Sequence, residues 1–163
     1  MTLAVLLGAC AVYMIWPVNT LEVRGGKGQG VLKLALPLSS RQAVTLGFVH
    51  SLYKVVQEER YVVKDGNLRL TSVFFGSLDA LNYYDPLETL PRKKIQGGYE
   101  VTLNPPRSLP INFATAHSTK MWLKVDNGAS IFLEPFIRGC NAFSLQLRRW
   151  PRVVAGLVEV THG

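Results

Sequence analysis

Apolar and polar residues alternate along most of this chain in short runs separated by turn-forming residues, and no segment carries a helical period. Leu21–Arg24, Val31–Leu36, Ala43–His50, Glu58–Val63, Leu68–Phe75, Glu100–Leu103, Thr119–Val125, Ala129–Leu133 and Val153–Val160 are rich in β-branched and large apolar side chains and read as strands. The pattern predicts an all-β, antiparallel, sandwich-like domain over residues 19–163. Residues 1–18 break the alternation: no side chain from Met1 to Val18 is charged, and Leu3, Val5, Leu6, Leu7, Val12, Met14, Ile15 and Trp16 make the run strongly apolar. Roughly 20 such residues cross a bilayer, so this reads as a short membrane anchor or the core of an export signal, with a buried strand as the plain alternative. Leu7-Gly8-Ala9-Cys10 has the form of a lipidation box, although the apolar run continues past Cys10 and no Lys or Arg precedes it.

Two turns assign faces. Asp65-Gly66 suits a two-residue hairpin, pairing Lys64 with Asn67, Val63 with Leu68, Tyr61 with Leu70 and Glu59 with Ser72. Val63, Tyr61, Leu68, Leu70 and Phe74 then form the core side. Glu59 shares that side, while Glu58 faces solvent beside Arg60. A three-residue loop at Asp126-Asn127-Gly128, with Gly128 in the left-handed position, sets Val125, Leu123 and Met121 opposite Ala129, Ile131 and Leu133, and Lys120 opposite Glu134. Counting back by twos brings Thr119 and His117 inward, and His50 follows Val44, Leu46 and Phe48 on alternate positions.

A buried carboxylate needs a partner, so His50, Glu59 and His117 are expected to converge with Ser51 nearby. Such a cluster is a structural hydrogen-bond network, a ligand or partner contact, or the shell of a divalent metal, although its spacing matches no metal motif. Catalysis by Ser51 is disfavoured, because adjacent strand residues face opposite ways and there is no Gly-x-Ser-x-Gly elbow. No catalytic residue and no obligatory cofactor is therefore assigned. In Asn82-Tyr83-Tyr84-Asp85-Pro86, Tyr83 and Tyr84 are candidate partner contacts, with aromatic packing under a long connection as the alternative. Residues 76–98 give few regular signals, which implies a functional loop or missed elements. Gly25–Gly30 reads as a hairpin connection, and Arg148-Arg149-Trp150-Pro151-Arg152 as either a headgroup contact or a solvated turn.

Composition narrows the partners. The chain has 163 residues, near half of them apolar, enough for one core; eighteen basic against eleven acidic residues give +7, which favours acidic partners, including anionic headgroups. The basic residues are scattered, with Arg92-Lys93-Lys94 the only run of three, which argues against nucleic acid. Cys10 lies in the leader and Cys140 in the domain, so the fold must be held by its core.

Gly47-Phe-Val-His-Ser-Leu-Tyr-Lys-Val-Val-Gln-Glu-Glu-Arg-Tyr61 resembles the "F-x-H-S-V, then E-x-aromatic" signature of the domain-of-unknown-function 1850 family, and His117 resembles that family's later "T-x-H-x-L" position. Leu52 stands for the family's usual Val, and Val56 for a common Pro. The resemblance implies a small non-catalytic envelope protein associated with a TAXI-type TRAP (tripartite ATP-independent periplasmic) transporter, contacting its permease or its solute-binding subunit. It further implies a domain facing the periplasm, held at the inner membrane or exported. Arg24 and Lys27 after the apolar run argue by charge for the cytoplasmic side. The alternative function is a periplasmic domain that binds a small ligand or metal through the His/Glu cluster.

Overall fold

The computed structural model describes residues 2–26, 30–108, 111–115 and 120–154, with side chains described from Leu6 onward. Helix α1 (Thr2–Ile15) leads into β1 (Pro17–Gly25), β2 (Leu32–Leu38), β3 (Ala43–Val49), β4 (Val56–Lys64) and β5 (Asn67–Phe75). Helix α2 (Leu78–Tyr84) and β6 (Arg92–Ile95) follow, then β7 (Gly98–Arg107), β8 (Ile111–Ala114), β9 (Met121–Val125), β10 (Ile131–Phe132), α3 (Glu134–Ile137) and β11 (Ala142–Pro151). The strands form two antiparallel sheets, one ordered β2-β1-β11-β8 and the other β10-β9-β3-β4-β5-β7-β6. This is the all-β sandwich that the alternation predicts.

The inward faces are set by register. Leu21 pairs with Leu36 and Leu147, and Val23 with Leu34 and Leu145. On the larger sheet Leu46 lies between Leu123 and Glu59, and Val44 between Val125 and Tyr61. Leu21, Val23, Leu34, Leu145, Val44, Leu46 and Leu123 all belong to one buried cluster, each contributing on the order of 1.5 to 3 kcal/mol by leaving water. Gly47, inside the signature-like segment, faces the other side of β3 under the indole of its partner Trp122, where a methyl group would overlap the ring. The absence of a side chain there is a packing requirement.

The sandwich has two distinct ends. Phe48, near the end of β3, lies 6.1 Å from Phe113, which stacks at 5.3 Å on Phe143, and Phe143 pairs with Gly25 at the far end of β1. His50 therefore sits at the end opposite α1. At the α1 end, Pro17 pairs with Pro151 and Asn19 with Leu38, so the close of β11 and the β2–β3 turn share that end. The β4–β5 turn joins them, since Asn67 and Leu68 line one cavity with Leu147 and Arg148. At about 3.3 Å per residue the ends stand roughly 25 Å apart.

Several expectations change. The Asp65-Gly66 turn has the anticipated left-handed pair, with φ of 53° and 71°, and Lys64–Asn67, Val63–Leu68 and Tyr61–Leu70 pair as read. A bulge then leaves Thr71 extra on β5, its hydroxyl donating to the Arg60 carbonyl at 3.0 Å. Beyond it the register slips by one residue: Glu59 faces Val73 instead of Ser72, and Val73 and Phe75 are buried in place of Phe74. In the second hairpin Leu123 pairs with Ile131 as expected, but Asp126, not Gly128, takes the positive φ, 49°. Its carboxylate accepts from the Ala43 amide at 2.8 Å while its own amide donates to the Ala43 carbonyl, which explains the choice. β10 stops at Phe132, so Glu134 opens α3, with Pro135 in its first turn, instead of pairing with Lys120.

Strands β6, β8 and β11 and helices α1, α2 and α3 were not legible as such. Arg148–Pro151 is the end of a strand, not a turn before one. Arg152–Val154 is helical, and the rest of the Val153–Val160 expectation lies outside the described residues. β1 and β2 are antiparallel neighbours, the Gly25 amide donating to the Val31 carbonyl at 2.8 Å, while residues 27–29 of the Gly25–Gly30 stretch lie outside the described residues. Cys10 and Cys140 are both free thiols.

Residues 76–98 hold α2 and β6. Ser77 caps α2, its hydroxyl accepting from the Ala80 amide at 3.2 Å, and Ala80 and Leu81 bury its inner face against β5 and β7. Ser77→Ala should cost about 1 kcal/mol in urea unfolding without changing the slope. An unchanged midpoint would show that packing alone holds the helix.

Candidate functional site

The end of the sandwich remote from α1 carries two adjoining groups. β3 runs out at Val49; the His50 amide then donates to the Val55 carbonyl at 2.8 Å and the Lys54 amide to the His50 carbonyl at 2.9 Å. Lys54 takes a φ of 57° to close this loop. His50 Nδ1 accepts from the amides of Leu52 and Tyr53 at 3.2 and 3.4 Å, so the imidazole is held by its own turn. Its ring centroid lies 5.2 Å from that of Tyr53 and 5.8 Å from that of Tyr83, and the two tyrosines are 5.9 Å apart. The tilted and edge-on angles are those that aromatic quadrupoles favour. Tyr83 is 64 % exposed, and Leu52, beside Tyr53 in the turn, and Leu87, after α2, are exposed as well. Ser51 stands exposed in the turn.

The inner group is built on β4. Glu59 shares the face of Tyr61, and the Tyr61 hydroxyl donates to Glu59 Oε2. Burial pushes the Glu59 carboxyl above its usual range, and the tyrosine hydrogen bond offsets part of that rise. Tyr61 is raised too, first by burial and then by the negative Glu59 beside it. Tyr84, whose ring packs on Phe75 at 5.1 Å, is raised by burial and by Glu59, with Arg107 opposing. The arrangement is a carboxyl that burial favours in its protonated form, beside two phenols kept neutral. The Tyr61 hydroxyl already spends its one hydrogen on Glu59.

α2 joins the groups. Tyr84 points into the core while Tyr83, one residue earlier, lies against His50. A buried carboxylate fixes the helix end: Asp85 accepts from the amides of Leu90 and Thr89 at 2.9 and 3.0 Å, from the Thr89 hydroxyl at 2.9 Å, and from Arg92 at 3.3 Å. The Leu90 amide leads the donors that hold Asp85 down at about 2. Arg92 also donates to Asn82 at 3.0 Å and lies 3.6 Å from Glu88.

The expected convergence of His50 and Glu59 takes a different form. Glu59 pairs with Leu46, four residues back along β3 from His50, about 13 Å at strand spacing, and its hydrogen bond is to Tyr61. No hydrogen bond or ion pair joins His50 to Glu59 or to Ser51 among the described residues. His117 lies outside the described residues. Among the described residues, no group of three or more His, Cys, Asp or Glu side chains is placed to hold a metal ion. The structure brings His50 to Tyr53 and Tyr83, and Glu59 to Tyr61. Sequence reading missed Tyr53, Tyr61 and the Asp85–Arg92 tie; Tyr61, two residues from Glu59 on the same strand face, was the available signal for one of them. Comparison of the chain with protein-family models, curated proteins and solved structures finds no match.

Proposed function

We propose that this chain is a non-catalytic cell-envelope accessory of a TAXI-type TRAP transporter, and that it contacts a transporter subunit through the end bearing His50, Tyr53 and Tyr83. The observation that carries the reading is the exposed aromatic group around a histidine whose turn is fixed by its own backbone. His50 and Tyr53 sit in the segment that resembles the domain-of-unknown-function 1850 signature, and Tyr83 comes to them from α2. Aromatic side chains with a polar tip give large contact area with little ordering cost, as protein interfaces use them. The Asp85–Arg92 tie holds α2 and so presents Tyr83 in one position.

Mild detergent extraction of cells expressing the tagged chain beside the transporter genes should recover the permease or the solute-binding subunit. Tyr83→Ala should weaken recovery by roughly tenfold or more, as removal of a central aromatic anchor does. Recovery of no subunit, or recovery unaffected by Tyr83→Ala, overturns the reading.

A further inference from the structure

The α1 end of the sandwich has a different chemistry. The described side chains of α1 are exposed all round: Leu6 and Leu7 at 62 and 64 %, Ile15 at 66 %, and Val12, Tyr13 and Met14 between them. A helix apolar on every side finds its stable surroundings in a core or in lipid, and here no core covers it. None of the described helices is long and apolar enough to cross a membrane.

Where α1 meets the domain the residues change to aromatic and basic. Trp16 is exposed beside the helix end, and Trp150 pairs with Val18 on the first turn of strand below it. Arg152 ties the helix end to the domain: its amide donates to the Trp16 carbonyl at 3.2 Å, its guanidinium lies 4.1 Å over the Tyr13 ring, and it donates to the Tyr13 hydroxyl. Arg148 and Arg149 are exposed on the last residues of β11, Arg41 is exposed on the β2–β3 turn, and Lys64 is exposed on the β4–β5 turn. All belong to the end that register assigns to α1. The described acids there are Asp65 and Asp126, and Asp126 is already engaged with Ala43.

We propose that this end is a seat for an anionic phospholipid surface. α1 enters the acyl region, Tyr13, Trp16 and Trp150 lie at the headgroup level, and Arg148, Arg149, Arg41 and Lys64 contact lipid phosphates. The order apolar, then aromatic, then cationic along one axis matches the order of a bilayer from acyl chain to phosphate. Charge complementarity selects the occupant: a neutral apolar partner would gain nothing from four exposed cations around the base of the helix. The orientation lifts the His50–Tyr83 end roughly 25 Å from the headgroups, which suits a partner surface standing clear of the membrane. The seat deepens the envelope placement of the proposed function but does not depend on the transporter partner, and its test involves no other protein.

The full chain, transferred from detergent, is offered to vesicles of phosphatidylcholine alone or with about one third phosphatidylglycerol, and binding is read by flotation and by tryptophan emission. Wild type should bind the anionic vesicles at least tenfold more tightly, with a blue shift, and should lose most of that preference as NaCl rises from about 0.1 to about 0.5 M. The double change Arg148→Gln with Arg149→Gln should reduce the preference about tenfold, with circular dichroism unchanged. Arg41→Gln with Lys64→Gln, on separate turns, should do the same and supplies the test if the first pair disturbs β11. Equal affinity for both vesicle types, or a salt-insensitive preference kept by both folded double variants, overturns the proposal. Failure of transporter recovery with intact lipid preference would count against the partner reading alone.

Discussion

Asp85→Ala is expected to lower the melting temperature by roughly 5 to 10 °C, the largest single effect at this end of the fold. One carboxylate accepts from the Leu90 and Thr89 amides, the Thr89 hydroxyl and Arg92, so its removal leaves several donors unpaired where the chain returns from α2 to β6. The pH dependence follows from the same bonds. They hold the carboxyl at about 2, against 3.8 for the unperturbed group. A depressed folded value means that the contribution is complete above the unfolded value and disappears as acid takes pH down from about 4 toward 2. Wild type should therefore lose stability relative to Asp85→Asn across that window, the two curves running parallel above it. Parallel curves down to pH 2 would show that the carboxylate is not stabilised by folding. Because α2 carries Tyr83, Asp85→Ala should also weaken transporter recovery, though less than Tyr83→Ala.

Local chemistry explains which parts of this architecture could be read from sequence. Asp65-Gly66 fixed one hairpin tip because both residues tolerate positive φ, and its first three anticipated pairs are correct. The bulge at Thr71 was hidden because Val73, Phe74 and Phe75 are all apolar, so alternation could not say which two face inward. α2 has only seven residues, two of them buried, too few to raise a periodic signal. β11 ends in Arg148-Arg149-Trp150-Pro151, whose polarity suits a turn; it is a strand because β1 pairs with it along nine residues. The inward position of Glu59 was legible by parity. Its partner lies on its own strand, whereas the need for charge compensation points to histidines. A phenol two residues along satisfies the same requirement by hydrogen bonding, and this leaves His50 to its turn and to Tyr53 and Tyr83.

The Glu59–Tyr61 pair yields the second large effect, with the opposite pH sense. Burial raises the folded value of Glu59 above the ordinary 4.5, so its stabilising contribution is complete below that value and is lost as pH rises through the folded one. Glu59→Gln should therefore gain stability relative to wild type as pH rises from the ordinary 4.5 through the raised folded value, measured by urea unfolding at each pH. Tyr61→Phe acts on the other partner. Tyr61 is 2 % exposed and its hydroxyl favours the ionised carboxylate, so its loss should cost roughly 1.5 to 3 kcal/mol at a pH above the raised folded value of Glu59, where that bond is to a charge. At about pH 4 the bond is to a neutral carboxyl, and the cost should fall to roughly 0.5 to 1.5 kcal/mol. In the Glu59→Gln background the cost should stay near the smaller figure at both pH values, since the amide oxygen still accepts but never ionises. A Tyr61→Phe penalty independent of pH and of residue 59 would mean that the phenol serves packing alone. A penalty that follows the charge of Glu59 would mean that this face of β4 tolerates a buried acid because Tyr61 donates to it.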